Sequence, residues 1–140
     1  MIELTDPKIQ KYLTPYRYEK PVLHGSGMLD AFDEKAVDIP FVFWHQNKYY
    51  MLYTGFDGKG YQSALATSDD LLHWEKVREP ILSFGPEGTY YSGHVHKASI
   101  VKKDDTLYHF YCATCPWKEG DPTSAYGEYR TICVAANKKF

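Results

Sequence analysis

The chain repeats its own wording at a spacing of 58 residues. Val37-Asp38-Ile39-Pro40-Phe41-Val42-Phe43 runs into Lys48-Tyr49-Tyr50-Met51-Leu52-Tyr53, and Val95-His96-Lys97-Ala98-Ser99-Ile100-Val101 runs into Thr106-Leu107-Tyr108-His109-Phe110-Tyr111. The flanks echo as well: Pro21-Val22-Leu23 precedes the first copy and Pro80-Ile81-Leu82 the second. Leu65-Ala66-Thr67-Ser68 closes the first set and Val134-Ala135-Ala136-Asn137 the second, where the offset has grown from 58 to 69 through a loop 11 residues longer. A period of this size marks stacked supersecondary units, none of which buries its apolar face alone.

Each copy reads as short strands punctuated by turns. In the first, the expected strands are Ile39 to Trp44, Lys48 to Thr54, Gln62 to Thr67 and His73 to Val77, separated by His45-Gln46-Asn47, a Gly-rich turn at 55–60, and Ser68-Asp69-Asp70. The second offers three: Lys97 to Lys102, Leu107 to Ala113 and Thr131 to Ala136, with residues 116–129 as a long loop. Residues 24–36, with Gly25, Gly27, Asp30 and Asp33, read as loop. Residues 1–15 form an N-terminal segment in which Asp6-Pro7 caps a short helix through Tyr12. Tyr16 to Lys20 alternates like an outer strand, and its Tyr18-Glu19-Lys20 matches Trp74-Glu75-Lys76.

The expected fold class is therefore all-β, with antiparallel four-stranded blades of a β-propeller. Residues 38–77 make one complete blade and 96–136 three strands of a second, so about two blades are present. Two blades close no ring. Either the remainder belongs to a longer propeller, or copies assemble as a homo-oligomer in which the N-terminal strand of one completes the last blade of another. Unpaired apolar strand edges otherwise invite aggregation.

At 140 residues the chain is one domain by size. Thirteen Tyr and seven Phe support strands. Its net charge of −2 supplies no basic field for nucleic acid. No stretch approaches the ~20 apolar residues of a membrane helix, so no membrane partner is expected. Met1 to Asp6 carries no apolar signal region, which as written points to the cytoplasm. Three cysteines, an odd number, argue against a disulfide framework.

Several runs resemble the five-bladed propeller glycosidases, glycoside hydrolase families 43, 32, 68 and 130 and their relatives. These are Lys48-Tyr49-Tyr50-Met51-Leu52-Tyr53-Thr54-Gly55, Ala64-Leu65-Ala66-Thr67-Ser68-Asp69-Asp70 and Leu72-His73-Trp74. Val95-His96-Lys97, Tyr108-His109-Phe110-Tyr111-Cys112-Ala113 and Tyr129-Arg130-Thr131-Ile132 are similar to a bacterial subgroup acting on plant polysaccharide side chains. The resemblance covers residues 20–140 and implies a carbohydrate substrate, hydrolysis of glycosidic bonds and no cofactor. A non-catalytic module that binds sugar or mediates assembly is the rival expectation.

By this resemblance Asp38, two residues before Pro40 at the start of an innermost strand, corresponds to the nucleophile or general base. A strand-capping Asp is the competing reading. Glycoside hydrolysis needs a second carboxyl, yet the second copy carries His96 where the first has Asp38. Glu87, Glu119, Asp121 and Glu128 are expected in loops, with Glu128 pairing Arg130. His94 and His96, two apart, point to one face of a strand. A metal would need a third ligand; a hydrogen bond from His96 to a sugar hydroxyl is the preferred expectation. Lys97 and Arg130 suit a carboxylated sugar or a tuned carboxylate, with surface ion pairs as the alternative. Trp117, in the long loop, is the stacking candidate, while Trp74 is expected to pack between blades and Trp44 is a further aromatic. Asp33 completes the expected substrate contacts. Cys112-Ala113-Thr114-Cys115 reads as buried packing rather than a redox or zinc motif, and Asp57-Gly58 as a hairpin turn.

Overall fold

The computed structural model describes residues 17–122 and 124–139. The expected helix after Asp6 and the start of the outer strand at Tyr16 lie outside these residues. Seven strands follow one another: β1 (Ala36–His45), β2 (Lys48–Phe56), β3 (Tyr61–Ser68), β4 (Glu75–Lys76), β5 (His94–Lys103), β6 (Thr106–Pro116) and β7 (Glu128–Ala136). They form two antiparallel sheets in chain order, β1-β2-β3-β4 and β5-β6-β7, and no helix occurs among the described residues.

Turn chemistry explains the meander. Gln46 and Asn47 join β1 to β2 with φ of 46° and 60°, the left-handed pair that matches strand twist in a two-residue hairpin. Asp57 ends β2 by accepting the N–H groups of Lys59 (2.7 Å) and Gly60 (2.9 Å). The Asp70 carboxylate likewise accepts the N–H groups of Leu72 and His73 at 2.9 and 2.8 Å. That turn withdraws His73 from the ladder, so the expected fourth strand from His73 to Val77 shortens to Glu75–Lys76. Residues 17–20 join neither sheet.

The 58-residue echo reappears as geometry. In β1, Asp38 pairs with Thr54 and Phe41 with Leu52, so Ile39 and Pro40 together oppose Tyr53. In β5, His96 pairs with Cys112 and Ser99 with Phe110, so Lys97 and Ala98 together oppose Tyr111. Both are β-bulges, and each holds a non-glycine residue in left-handed backbone: Ile39 at φ 50° and Lys97 at φ 56°. A bulge lets Pro40 sit in the strand without forfeiting a ladder hydrogen bond. It also re-aims the residue that precedes it, which is Asp38 in one sheet and His96 in the other. A β-branched residue at positive φ is strained, a condition found most often at functional sites.

Each sheet has a small core. Met51, Tyr53, Ala64 and Ala66 are buried against Leu23, Phe32, Val37 and Trp74. Val95, Tyr111 and Ala113 are buried against Leu82, Phe84, Cys133 and Ala135. The connector from β4 to β5 runs back along β3, where Ile81 donates to Ser63 O (2.9 Å) and Ser63 to Leu82 O (3.0 Å). It delivers β5 beside the first sheet. The edge strands β1 and β7 keep apolar side chains in solvent: Phe41, Val42 and Trp44 on β1, and Ile132, 74% exposed, on β7.

Candidate functional site

The bulges lie in the first strand of each sheet, β1 and β5, directly after Asp38 and His96. Asp38 borders a cleft of about 160 Å³ lined by Val22, Leu23, Val37, Met51 and Tyr53. Burial there raises the Asp38 carboxyl above its ordinary range, and the Lys97 ammonium opposes part of the rise. The Tyr53 hydroxyl is buried without a hydrogen-bond partner. Burial, then the Asp33 charge, push its ionisation well up, so Tyr53 stays neutral.

His96 is 7% exposed, and its Nε2 has no partner. Its ring stacks on Tyr61, with centroids 5.6 Å apart, and Tyr61 in turn stacks on Phe56 at 4.6 Å. Burial, followed by the Lys97, His94 and Arg130 charges, pushes its pKa down to about 4. His96 is therefore a neutral imidazole at pH 7, able to meet a hydroxyl as donor or acceptor.

His94 has a different role from the one its spacing suggests. The Tyr61 N–H donates to His94 Nδ1 at 3.2 Å, which leaves the proton on Nε2. That nitrogen faces Glu128 Oε1 at 3.2 Å, and Glu128 Oε2 meets Arg130 Nη2 at 2.8 Å. Both ring nitrogens of His94 are thus engaged, and the ring ties β3 of one sheet to β7 of the other. The sequence reading placed Glu128 in a loop. It is instead the first residue of β7, opposite Pro116, because a tight turn at Tyr126-Gly127 folds the chain back before it. Arg130, opposite Thr114, follows on the same strand.

The remaining candidates lie elsewhere. Lys97 is exposed at the bulge itself. The Asp33 side chain is 3% exposed and ion-paired to Lys76, whose Nζ also donates to His24 O. Trp117 is exposed, and its N–H donates to Gly127 O at 3.0 Å. Trp74 packs on the first core and donates Nε1–H to Leu71 O at 2.9 Å. Trp44 stands in solvent, edge-on to Tyr49. Asp121 accepts the Lys118 N–H at 2.8 Å and caps its own turn. Cys112, Cys115 and Cys133 are free thiols, and among the described residues no three His, Cys, Asp or Glu side chains gather as for a metal ion.

The His96 environment sets a pH dependence of stability. Its folded-state pKa lies below the 6.5 of an ordinary imidazole, so between those values the unfolded chain takes up a proton that the folded chain refuses. Stability is full above about pH 6.5 and falls as the pH drops toward 4. His109, also lowered by burial, acts in the same direction. Melting temperatures measured from pH 7 to 4.5 are expected to fall, and to fall less in His96→Gln. Identical profiles for variant and wild type would remove His96 from this account.

No family model matches the chain. A beta-1,2-mannobiose phosphorylase from Thermoanaerobacter sp. (strain X514) is 40% identical to it over 65 residues, 44% of this chain and 20% of that protein. Among solved structures, a glycoside hydrolase superposes with a TM-score of 0.60 at 23% identity, covering 74% of this chain and 28% of the other. A second has a TM-score of 0.55 at 16% identity and covers 82% and 35%. That structure is one described for the GH130 family of mannoside phosphorylases, which contains glycoside hydrolases that target beta-1,2 mannosidic linkages in Candida mannan. The chain thus spans a fifth of the curated relative and about a third of these structures. At these identities the structural likeness is one of fold: the two sheets match part of a glycoside hydrolase.

Proposed function

We propose that this chain forms part of a glycan-cleaving site in a five-bladed propeller, completed by further blades or further copies, with a plant or host glycan as substrate. The supporting observation is the pair of equivalent bulges. The same backbone device presents a carboxylate, Asp38, from one sheet and a neutral imidazole, His96, from the next. Asp38 is the nucleophile or general base, its proton affinity raised by the apolar cleft. His96 holds a sugar hydroxyl through its unpartnered Nε2. Lys97 tempers the Asp38 charge. The His94–Glu128–Arg130 chain fixes the floor on which His96 rests, and Trp117 is a stacking surface at the loop edge. Asp33 serves the fold through Lys76.

The match to a mannobiose phosphorylase raises phosphorolysis beside hydrolysis. Incubation with beta-1,2-mannobiose and a panel of plant oligosaccharides, with and without inorganic phosphate, separates them. Sugar phosphate formed only with phosphate present marks phosphorolysis; free sugar in both marks hydrolysis. A non-catalytic sugar-binding module is the second reading. It is favoured by Glu128, whose two oxygens face His94 and Arg130. Binding to the same panel without turnover would select it.

A further inference from the structure

The hairpin tip beside this site carries an unsuitable residue. Ala125 and Glu128 exchange backbone hydrogen bonds, Ala125 N–H to Glu128 O at 2.9 Å and Glu128 N–H to Ala125 O at 3.0 Å. The two residues between them, Tyr126 and Gly127, have φ of 56° and 76°. A two-residue turn with both φ positive strongly prefers Asn-Gly, Asp-Gly or Gly-Gly. At the β1–β2 hairpin the same two positions fall on Gln46 and Asn47, and Asp104 takes positive φ in the turn after β5. Tyr126 is the aromatic residue in this conformation, and a bulky ring at positive φ is strained.

The strain displays the ring. Tyr126 is 92% exposed, the Arg130 guanidinium lies 5.2 Å from its centroid, and Arg130 contacts Glu128, which contacts His94. Tyr126 therefore stands at the outer end of the chain of contacts that supports His96. Arg130 Nε is buried without a hydrogen-bond partner beside it. The Arg130 guanidinium covers one face of the ring, and the exposed opposite face suits the C–H face of a sugar ring.

We propose that Tyr126 is a glycan-stacking residue at the rim of this site, binding a sugar unit beyond the one held at His96. The inference rests on the glycan reading above. It predicts that length matters: a trisaccharide or longer engages Tyr126, and a monosaccharide does not.

Tyr126→Asn tests it, because Asn is the residue the turn prefers. The variant is expected to melt at or above the wild-type temperature, since strain is relieved. Its affinity for tri- to hexasaccharides of the mannan, arabinan and rhamnogalacturonan types, measured by calorimetry, is expected to fall about tenfold, with monosaccharide affinity unchanged. Tyr126→Phe keeps the ring and is expected to bind as wild type. Wild-type chain that binds none of these glycans overturns both this inference and the reading beneath it. Wild-type chain that binds them, with Tyr126→Asn binding equally well, overturns the Tyr126 role alone. A Tyr126→Asn chain that melts below wild type assigns the residue to the fold instead.

Discussion

Asp38→Asn is expected to lower glycan cleavage about 10³-fold while leaving the fold intact. Asn has the same shape and keeps a hydrogen-bonding carbonyl, but it neither accepts a proton nor attacks an anomeric carbon. Stability should move the other way. Folding raises the Asp38 pKa, so the ionised carboxylate is disfavoured in the folded state at neutral pH. Removing the charge relieves that penalty, and the melting temperature at pH 7 is expected to equal or exceed wild type. The raised pKa also shifts the acid limb of the rate profile upward, because a base must be deprotonated to act. Turnover in Asp38→Asn equal to wild type on the glycan panel would end the catalytic assignment. A loss of turnover together with a loss of folded protein would point to the strand-capping role instead.

Breaking the Asp33–Lys76 pair is expected to have the largest effect on stability. Lys76 comes from the two-residue β4 and reaches Asp33 and His24 O in the loop that covers the first core. Its ammonium also lies 5.8 Å from the Tyr53 ring. One cation thus pins 24–36 to β4, with Phe32 of that loop packed beside Tyr53. Asp33→Asn or Lys76→Met leaves a buried charge uncompensated, at a cost of about 3 kcal/mol. Replacing both by apolar residues, Asp33→Leu with Lys76→Met, should cost much less than the two single changes added. Urea unfolding of the four proteins measures the coupling. Single variants within about 0.5 kcal/mol of wild type would show the pair to be no more than a surface contact.

Much of the fold was legible because apolar alternation and turn residues are local signals. The three long strands of each sheet stand where the repeat placed them, within a few residues at each end. Trp74, expected to pack between blades, packs on the core of the first sheet. The misplacements share one cause, competition for backbone hydrogen bonds. Asp70 takes the His73 N–H and shortens β4. The Tyr126-Gly127 turn lengthens β7 toward its start and lifts Glu128 out of a loop. The Tyr18-Glu19-Lys20 echo of Trp74-Glu75-Lys76 predicts a strand for a further blade or copy, and within this chain 17–20 join neither sheet.

The site was legible in its residue types and illegible in its contacts. Asp38 and His96 could be matched across 58 residues, and the structure adds that each precedes a bulge. Nothing in the spacing of His94 and His96 distinguishes them. His94 is tied at both nitrogens, to residues 33 and 34 positions away, whereas His96 keeps a buried nitrogen free. Tyr126 was missed because a tyrosine in a long loop carries no local mark. Only its positive φ, beside Gly127, separates it from any other exposed ring.

By itself the sequence determined the class, the period and the two residues that differ between copies, because these depend on side-chain pattern along one strand at a time. The tertiary structure decided which groups are charged, which are tied and which are free. Those properties depend on burial and on partners brought together from different strands, here β3, β5 and β7 around His94 and His96. A one-dimensional repeat specifies which residue precedes each bulge. Packing of one sheet against the next makes His96 neutral, while the packing of the 24–36 loop and the Leu23 segment on the first sheet makes Asp38 reluctant to ionise and Lys76 the clasp of that core.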